Sequence, residues 1–273
     1  MTRAVCILAA LALGATAAQA QSPSPQEPTL VFSISVGMTT QGDLWTLPKQ
    51  PQIAPGGADT LALGRVLRPG LVAGLAATYQ RAAHFGFTGE VTYFGIASEQ
   101  RCTGPATFLP DSANGNINQQ ACTNANGKHV ATSVVGFLVG GVYSFLPRSN
   151  FQPFLRATVG PGLMGNSYIQ TTGTIRSPAC VTIDSICDLA LLDENGSKQF
   201  TWVANLSGGA TFKFAPGYRL RFEAHDVITS LPVATGPKPV TGGYPTTGMT
   251  VKHVPTFTMG LDVLLERRHA RRY

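Results

Sequence analysis

The stretch YRLRFEAHDV, residues 218–227, carries Arg219, Arg221, Glu223 and His225 at every second position. A carboxylate two residues from an imidazole is raw material for acid–base chemistry, and Ser230 follows close behind. Those residue types suffice for part of a hydrolytic site. The alternation also admits a plainer use. Side chains at i and i+2 of a strand point to one side, so groups of both signs on a shared face can neutralise one another. Glu90, Arg156 and Lys213 sit in the same kind of alternating setting. We expect Glu90, Arg156, Lys213, Arg219, Arg221, Glu223 and His225 to form one charge network, with His225 a member of it rather than a catalyst. The histidines at 84, 129, 225, 253 and 269 show no HExxH or other ligand spacing. The Gly-Gly pairs at 140–141 and 208–209 open no helical pattern and so cradle no phosphate. No catalytic residue, metal ligand or cofactor is expected.

The cysteines carry a second chemistry. Cys102 and Cys122 flank a stretch rich in Asn, Gly and Pro, and Cys180 and Cys187 flank another loop-like stretch. No CxxC spacing speaks for a metal. The chain begins MTRAVCILAALALGATAAQA: Arg3, then an apolar run from Val5 to Leu13, then the small-x-small pattern Ala18-Gln19-Ala20. This is the pattern of a secretory signal cleaved after residue 20, and it implies an oxidising compartment. Four cysteines allow three pairings. The local one, Cys102 with Cys122 and Cys180 with Cys187, follows from the loop map below.

Eight segments alternate apolar and polar residues and must position these groups: 29–39, 71–80, 85–94, 130–146, 151–169, 199–214, 218–227 and 253–266. In 199–214, Phe200, Trp202, Leu206, Phe212 and Phe214 share one parity and Thr201, Asn205, Ser207 and Lys213 the other. Short turns at 81–84, 147–150 and 215–217 follow the even strands. Long segments, roughly 40–70, 97–128, 170–198 and 229–251, follow the odd ones. Both cysteine pairs fall in long segments. Residues 59–67 also read as strand, which we assign to an extension of the second strand, disturbed at Pro69, and not to a ninth member of the set. Helical periodicity is almost absent, and no run after the leader has the 18 apolar residues of a membrane helix.

The charges decide which face looks inward. They occupy the polar parity of the strands and are nearly missing from the apolar parity. A soluble barrel or a β-sandwich would carry its charges outside. A barrel in a bilayer hides them within, because an Arg or Lys facing lipid at the midplane costs ~2–4 kcal/mol. Gly160, Gly162, Gly209 and Gly260 on the polar parity suit a crowded interior, and Tyr143, Phe145, Phe151, Phe212, Phe214 and Tyr218 gather by the short turns as an interfacial girdle. Only 12% of the chain is charged, with a formal net charge of +6 to which Arg267, Arg268, Arg271 and Arg272 contribute. We read that end as a solvated basic tail; no aromatic-interleaved basic patch points to nucleic acid.

Thr258-Met259-Gly260-Leu261-Asp262-Val263-Leu264-Leu265 fits the polar-x-Gly-x-x-apolar-x-apolar pattern, with Gly260, Val263 and Leu265 at its key positions. With the strand rhythm, the chain resembles the small outer-membrane β-barrel superfamily, that of the outer membrane protein A transmembrane domain and of outer membrane proteins X and W. The resemblance implies an all-β, eight-stranded antiparallel up-and-down transmembrane barrel, monomeric, in contact with outer-membrane lipid and inserted by the barrel assembly machinery. It also implies the bacterial outer membrane as location. The family signal closes its chain on an aromatic residue, whereas here Glu266 to Tyr273 follow. The expected organisation is a signal peptide over 1–20, a lead-in over 21–28, the barrel over 29–266 and the tail over 267–273. The leading functional expectation is a non-enzymatic structural or interaction protein that displays four loops to an unidentified extracellular partner. A narrow conduit is the first alternative and a lipid-modifying enzyme the second.

Overall fold

A computed structural model describes residues 29–54, 57–109, 116–147, 149–165, 169–177, 180–181, 185–193, 199–239 and 244–265. In chain order its strands are β1 (Thr29–Thr39), β2 (Gly42–Ala54), β3 (Gly57–Arg68), β4 (Leu71–Gln80), β5 (Phe85–Thr103), β6 (His129–Ser144), β7 (Phe151–Met164), β8 (Thr171–Arg176), β9 (Ile186–Leu192), β10 (Gln199–Ala215), β11 (Tyr218–Ala234) and β12 (Thr247–Leu265); helix α1 (Ile117–Ala125) lies between β5 and β6. The signal peptide, the lead-in, Glu266 and the basic tail lie outside the described residues.

The antiparallel order β5-β4-β1-β12-β11-β10-β7-β6 closes because β6 pairs back onto β5. That is a ring of eight strands, the expected up-and-down barrel. Closure satisfies every ladder and leaves no edge, the condition for a sheet to cross hydrocarbon. Apolar and polar faces fall as the parity predicts. Leu206 is 58% exposed and Trp202 63%, while Thr201, Asn205 and Ser207 between them are buried. The same holds for Phe32, Ile34 and Val36 on β1 and for Phe257, Met259 and Leu261 on β12. No described helix is long and apolar enough to cross a membrane; the crossing elements are strands.

At the short-turn end the girdle aromatics are exposed and touch one another. Phe151 and Phe212 lie 5.0 Å apart between ring centroids, and Tyr143 and Phe145 5.2 Å. The turn from β10 to β11 needs Gly217, whose φ of +79° is left-handed. Gly260 is needed for another reason: a Cβ there would sit 2.6 Å from the carbonyl oxygen of Ile34 on the neighbouring β1. It lies in the β1–β12 seam that closes the ring, with Val263 opposite Phe32 and Leu265 opposite Leu30.

The opposite end departs from the sequence reading. Three ring strands run further than expected: β5 reaches Thr103, β11 reaches Ala234 and β12 starts at Thr247. Residues 59–67 do continue the second barrel strand. The register along β5 passes from Val72↔Phe94 to Arg68↔Ala97 with a break at Pro69-Gly70. The other side of β3 pairs with β2, a strand absent from the sequence reading. β8 and β9 form a separate hairpin, and α1 is a true helix where almost no helical pattern was expected. Its buried residues Asn118, Ala121, Cys122 and Ala125 follow the i, i+3, i+4, i+7 spacing of one helical face.

Candidate functional site

The first candidate site is the lumen at bilayer depth. Glu90 from β5, Arg156 from β7, Arg221 and Glu223 from β11 and Asp262 from β12 are all buried inside the ring. Arg156 is the hub. One of its terminal nitrogens is 3.0 Å from Glu90 Oε2 and the other 2.7 Å from Glu223 Oε1. Arg221 donates to Asp262 Oδ2 at 2.9 Å and lies 3.7 Å from Glu223 Oε2, with its guanidinium 5.1 Å from the centre of the Phe154 ring. Neutral donors complete the set: Thr158 to Glu90 at 2.9 Å, and Ser207 to Glu223 at 2.6 Å. Arg219 donates to Gln152 at 2.6 Å. Removing charges from water is costly unless each finds partners, and here three of the four acid–base contacts join different strands, Arg221–Glu223 being the one along a single strand.

His225 is inside as well. Its Nδ1 is 3.1 Å from Asn205 Oδ1 and its Nε2 2.8 Å from Thr258 Oγ1, with Glu223 Oε2 at 3.6 Å. Both ring nitrogens thus face lumenal partners, and neither faces lipid. Lys213 is the member of the expected network that stands apart: it shares the inward parity but is exposed, beside the turn that ends β10. Parity alone could not show this, because alternation says which face a residue takes but not how near the end of the barrel it lies. Asp262 was the charge overlooked. It lies on the polar parity of β12, across from Arg219 on β11, and that parity is its sequence signal.

Little space remains around this cluster. One cavity of about 20 Å³ lies beside Ser33, Glu90, Arg156, Asn205 and His225, and another of about 20 Å³ beside Gln152, Thr211, Arg219 and Asp262. Each has room for about one water. On the long-loop side the lining turns apolar: Phe94, Ile96, Val134, Val203, Val227 and Val254 surround a cavity of about 10 Å³.

The second candidate site is what the loops build above that apolar layer. The first loop carries β2 and β3, the second α1, the third β8 and β9, and the fourth joins β11 to β12. They share one apolar core in which Leu44, Leu47, Leu61, Leu63, Ile169 and Leu191 are buried. Polar contacts tie loop to loop. Asp59 accepts from Leu109 N at 2.9 Å and from Asn118 Nδ2 at 2.7 Å, joining the first loop to the second. The fully buried Arg65 donates to Gln170 O, joining the first to the third. Asn124 Nδ2 donates to Thr174 O at 2.6 Å, joining the second to the third. Gln50 Oε1 accepts from Lys238 N at 2.8 Å, and Lys238 Nζ meets Asp193 at 2.7 Å, bringing in the fourth. Both cysteine pairs are disulfides as expected: Cys102–Cys122 ties α1 to β5, and Cys180–Cys187 closes the β8–β9 hairpin. None of these contacts between loops has a sequence signature; only the cysteines announced themselves.

No family model matches the chain, and no curated protein matches it. Among solved structures it is similar to the outer membrane protein OprG from Pseudomonas aeruginosa, at 11% identity and a TM-score of 0.46 over 87% of this chain and 96% of that one. It is also similar to Neisserial surface protein A, at 11% identity and 0.39 over 87% and 99%. A third similar structure is the outer membrane protease OmpT from Escherichia coli, at 8% identity and 0.37 over 90% and 99%. Likeness at this level says nothing of the role of this chain. The chain's own ring, greasy without and charged within, is the architecture of a small outer-membrane β-barrel.

Proposed function

We propose that this chain is a non-enzymatic protein of the bacterial outer membrane, whose barrel holds a folded cap in place for an extracellular partner. The observation that carries the reading is the cap itself. Four loops share a core, are tied to one another by Asp59, Arg65, Gln50 and Lys238, and are braced by two disulfides. Loops that pack this way present a fixed surface at low entropic cost to a partner. The filled lumen supports the same reading, because a conduit needs a continuous wet path and the cavities here each hold about one water. The placement of His225 against Asn205 and Thr258 argues against its use as a lipid-modifying catalyst. The experiment is paired. Surface labelling of intact cells should mark Lys128 in the cap. Purified barrel in planar bilayers should pass no stepwise current; reproducible unit steps would replace this reading with the conduit.

A further inference from the structure

The wall between β1 and β12 is complete only up to Thr39↔Thr256, where their ladder ends. Above that rung β12 continues with β11 as its one partner, paired without a bulge as far as Ala234↔Thr247. The chain beyond β1 does not close the other side. β2 takes up β3 instead, forms no ladder with β12, and packs toward β11. One edge of β12 is therefore open above Pro255.

The groups on that edge can be assigned. In a strand the N–H and C=O of one residue point to the same side, and those of the next residue to the other. Pro255 O accepts from Thr40 N at 2.9 Å, so Pro255 faces the β1 side. Met249, Val251 and His253 share its parity, and no described residue pairs with their main-chain groups on this side. Their side chains stand outward and are exposed. Thr250, on the inward parity, is exposed as well, so the cap does not cover this stretch. Lys252 reaches across only to the carbonyl of Asp43, at 3.4 Å. His253 lies twelve residues from the short-turn end of β12 at Leu265. On a strand tilted by about 40° that is a rise of about 30 Å, above an apolar band about 25 Å tall. The open edge thus stands outside the hydrocarbon, in reach of an external molecule.

A row of main-chain donors and acceptors repeating every second residue is matched by the backbone of another extended chain. We propose that the cap holds its partner by strand addition: an extended polypeptide segment lies antiparallel on residues 249–253, in the line that β1 would follow, and exchanges hydrogen bonds with Met249, Val251 and His253. Apolar side chains at every second position of the guest pair with Met249 and Val251, and a carboxylate on its other face pairs with Lys252. A second copy of this chain does not qualify. Two barrels in one membrane stand the same way up, so their β12 edges cannot meet antiparallel. The inference rests on the reading that the cap serves an extracellular partner, and it names how that partner is held.

The test uses the full mature chain in nanodiscs and a fluorescent eight-residue peptide, valine alternating with threonine, with one central threonine replaced by glutamate. Its anisotropy should rise and saturate. The same peptide N-methylated at two successive residues, which takes a donor from each edge, should bind about tenfold more weakly. Val251→Pro removes a donor from the open edge and spares the β11 ladder, and it should weaken the unmodified peptide by about the same factor. Val251→Ile keeps the donor and should bind as wild type. Heat-dependent gel migration verifies that each variant is folded; if Val251→Pro is not, the N-methylated peptide decides alone. No saturable rise, equal binding of the N-methylated peptide, or a folded Val251→Pro barrel that binds as wild type would each overturn the proposal. Lys128 is no part of this edge, so its labelling on intact cells judges the cap reading separately: a labelled cap that ignores the peptide sinks this inference alone.

Discussion

Strand β11 passes through both halves of the molecule and changes character on the way. Near its short-turn end the inward side chains are Arg219, Arg221, Glu223 and His225; further up they are Val227, Leu231 and Val233, interrupted by the buried Thr229. The barrel wall at bilayer depth is polar within and greasy without. The cap is greasy within, and its outward charges Arg101, Asp188 and Arg176 meet water. One backbone pattern thus serves two opposite burial rules, because two solvents bathe it. Apolar burial drives the cap together as in any soluble domain. In the barrel, lipid is as apolar as leucine, so ladder closure and paired charges must hold the interior.

The contrast can be broken from several sides. The largest effect belongs to Arg156→Ala, which strands Glu90 and Glu223 inside the ring and should cost ~3–5 kcal/mol. Denaturant titration read by heat-dependent gel migration measures it, and a loss below 1 kcal/mol would mean the lumen is wet rather than paired. Next is Leu63→Ala in the cap core, fully buried, at ~2–5 kcal/mol. It should expose the loops to protease while the barrel keeps its shifted migration; simultaneous loss of both would deny that the halves obey separate rules. Leu206→Arg on the lipid face costs ~2–4 kcal/mol at midplane and should block insertion. Leu206→Ala should insert normally, since no cavity forms against fluid lipid. If the two variants insert equally, the outward assignment fails. The inward partner Ser207 is no control for size: it is buried and bonded to Glu223, so Ser207→Arg, which the alternation alone would tolerate, should now misfold. Converting Cys102 and Cys122 to Ser should cost the cap ~2–4 kcal/mol, seen as faster loop proteolysis under non-reducing conditions. Smallest is Lys128→Ala, whose pair with Asp188 is largely exposed, worth at most ~1 kcal/mol in the same proteolysis assay.

The barrel was legible in the sequence because its signal is local. A period of two, a solvent on each side and short turns at 81–84, 147–150 and 215–217 define the strands without knowledge of their partners. The cap was not, because its pairings are remote. β2 carries Pro48 and Pro51 and two register shifts against β3, so it matched no strand template. α1 shows few apolar residues, and Asn118 takes a core position only because Asp59 meets it. Within the lumen, the alternation found the charged face but not the pairs. Glu90 and Arg156 sit on strands separated by β6, and Arg156 reaches Glu223 past β10; which charges meet depends on barrel stagger, which no single strand encodes. Lys213 shares the inward parity, but its place near the end of β10 leaves it exposed, which alternation alone does not encode.

Leucines occupy both regions, so their methyl groups offer the most direct comparison. In lipid nanodiscs with methyl-labelled leucine, the outward Leu75, Leu155, Leu163 and Leu206 should show magnetisation transfer from the acyl chains, and the buried cap residues Leu61, Leu63 and Leu191 should show transfer only from protein. Lipid contact at the cap leucines, or water contact at Leu155 and Leu206, would contradict the two-solvent account.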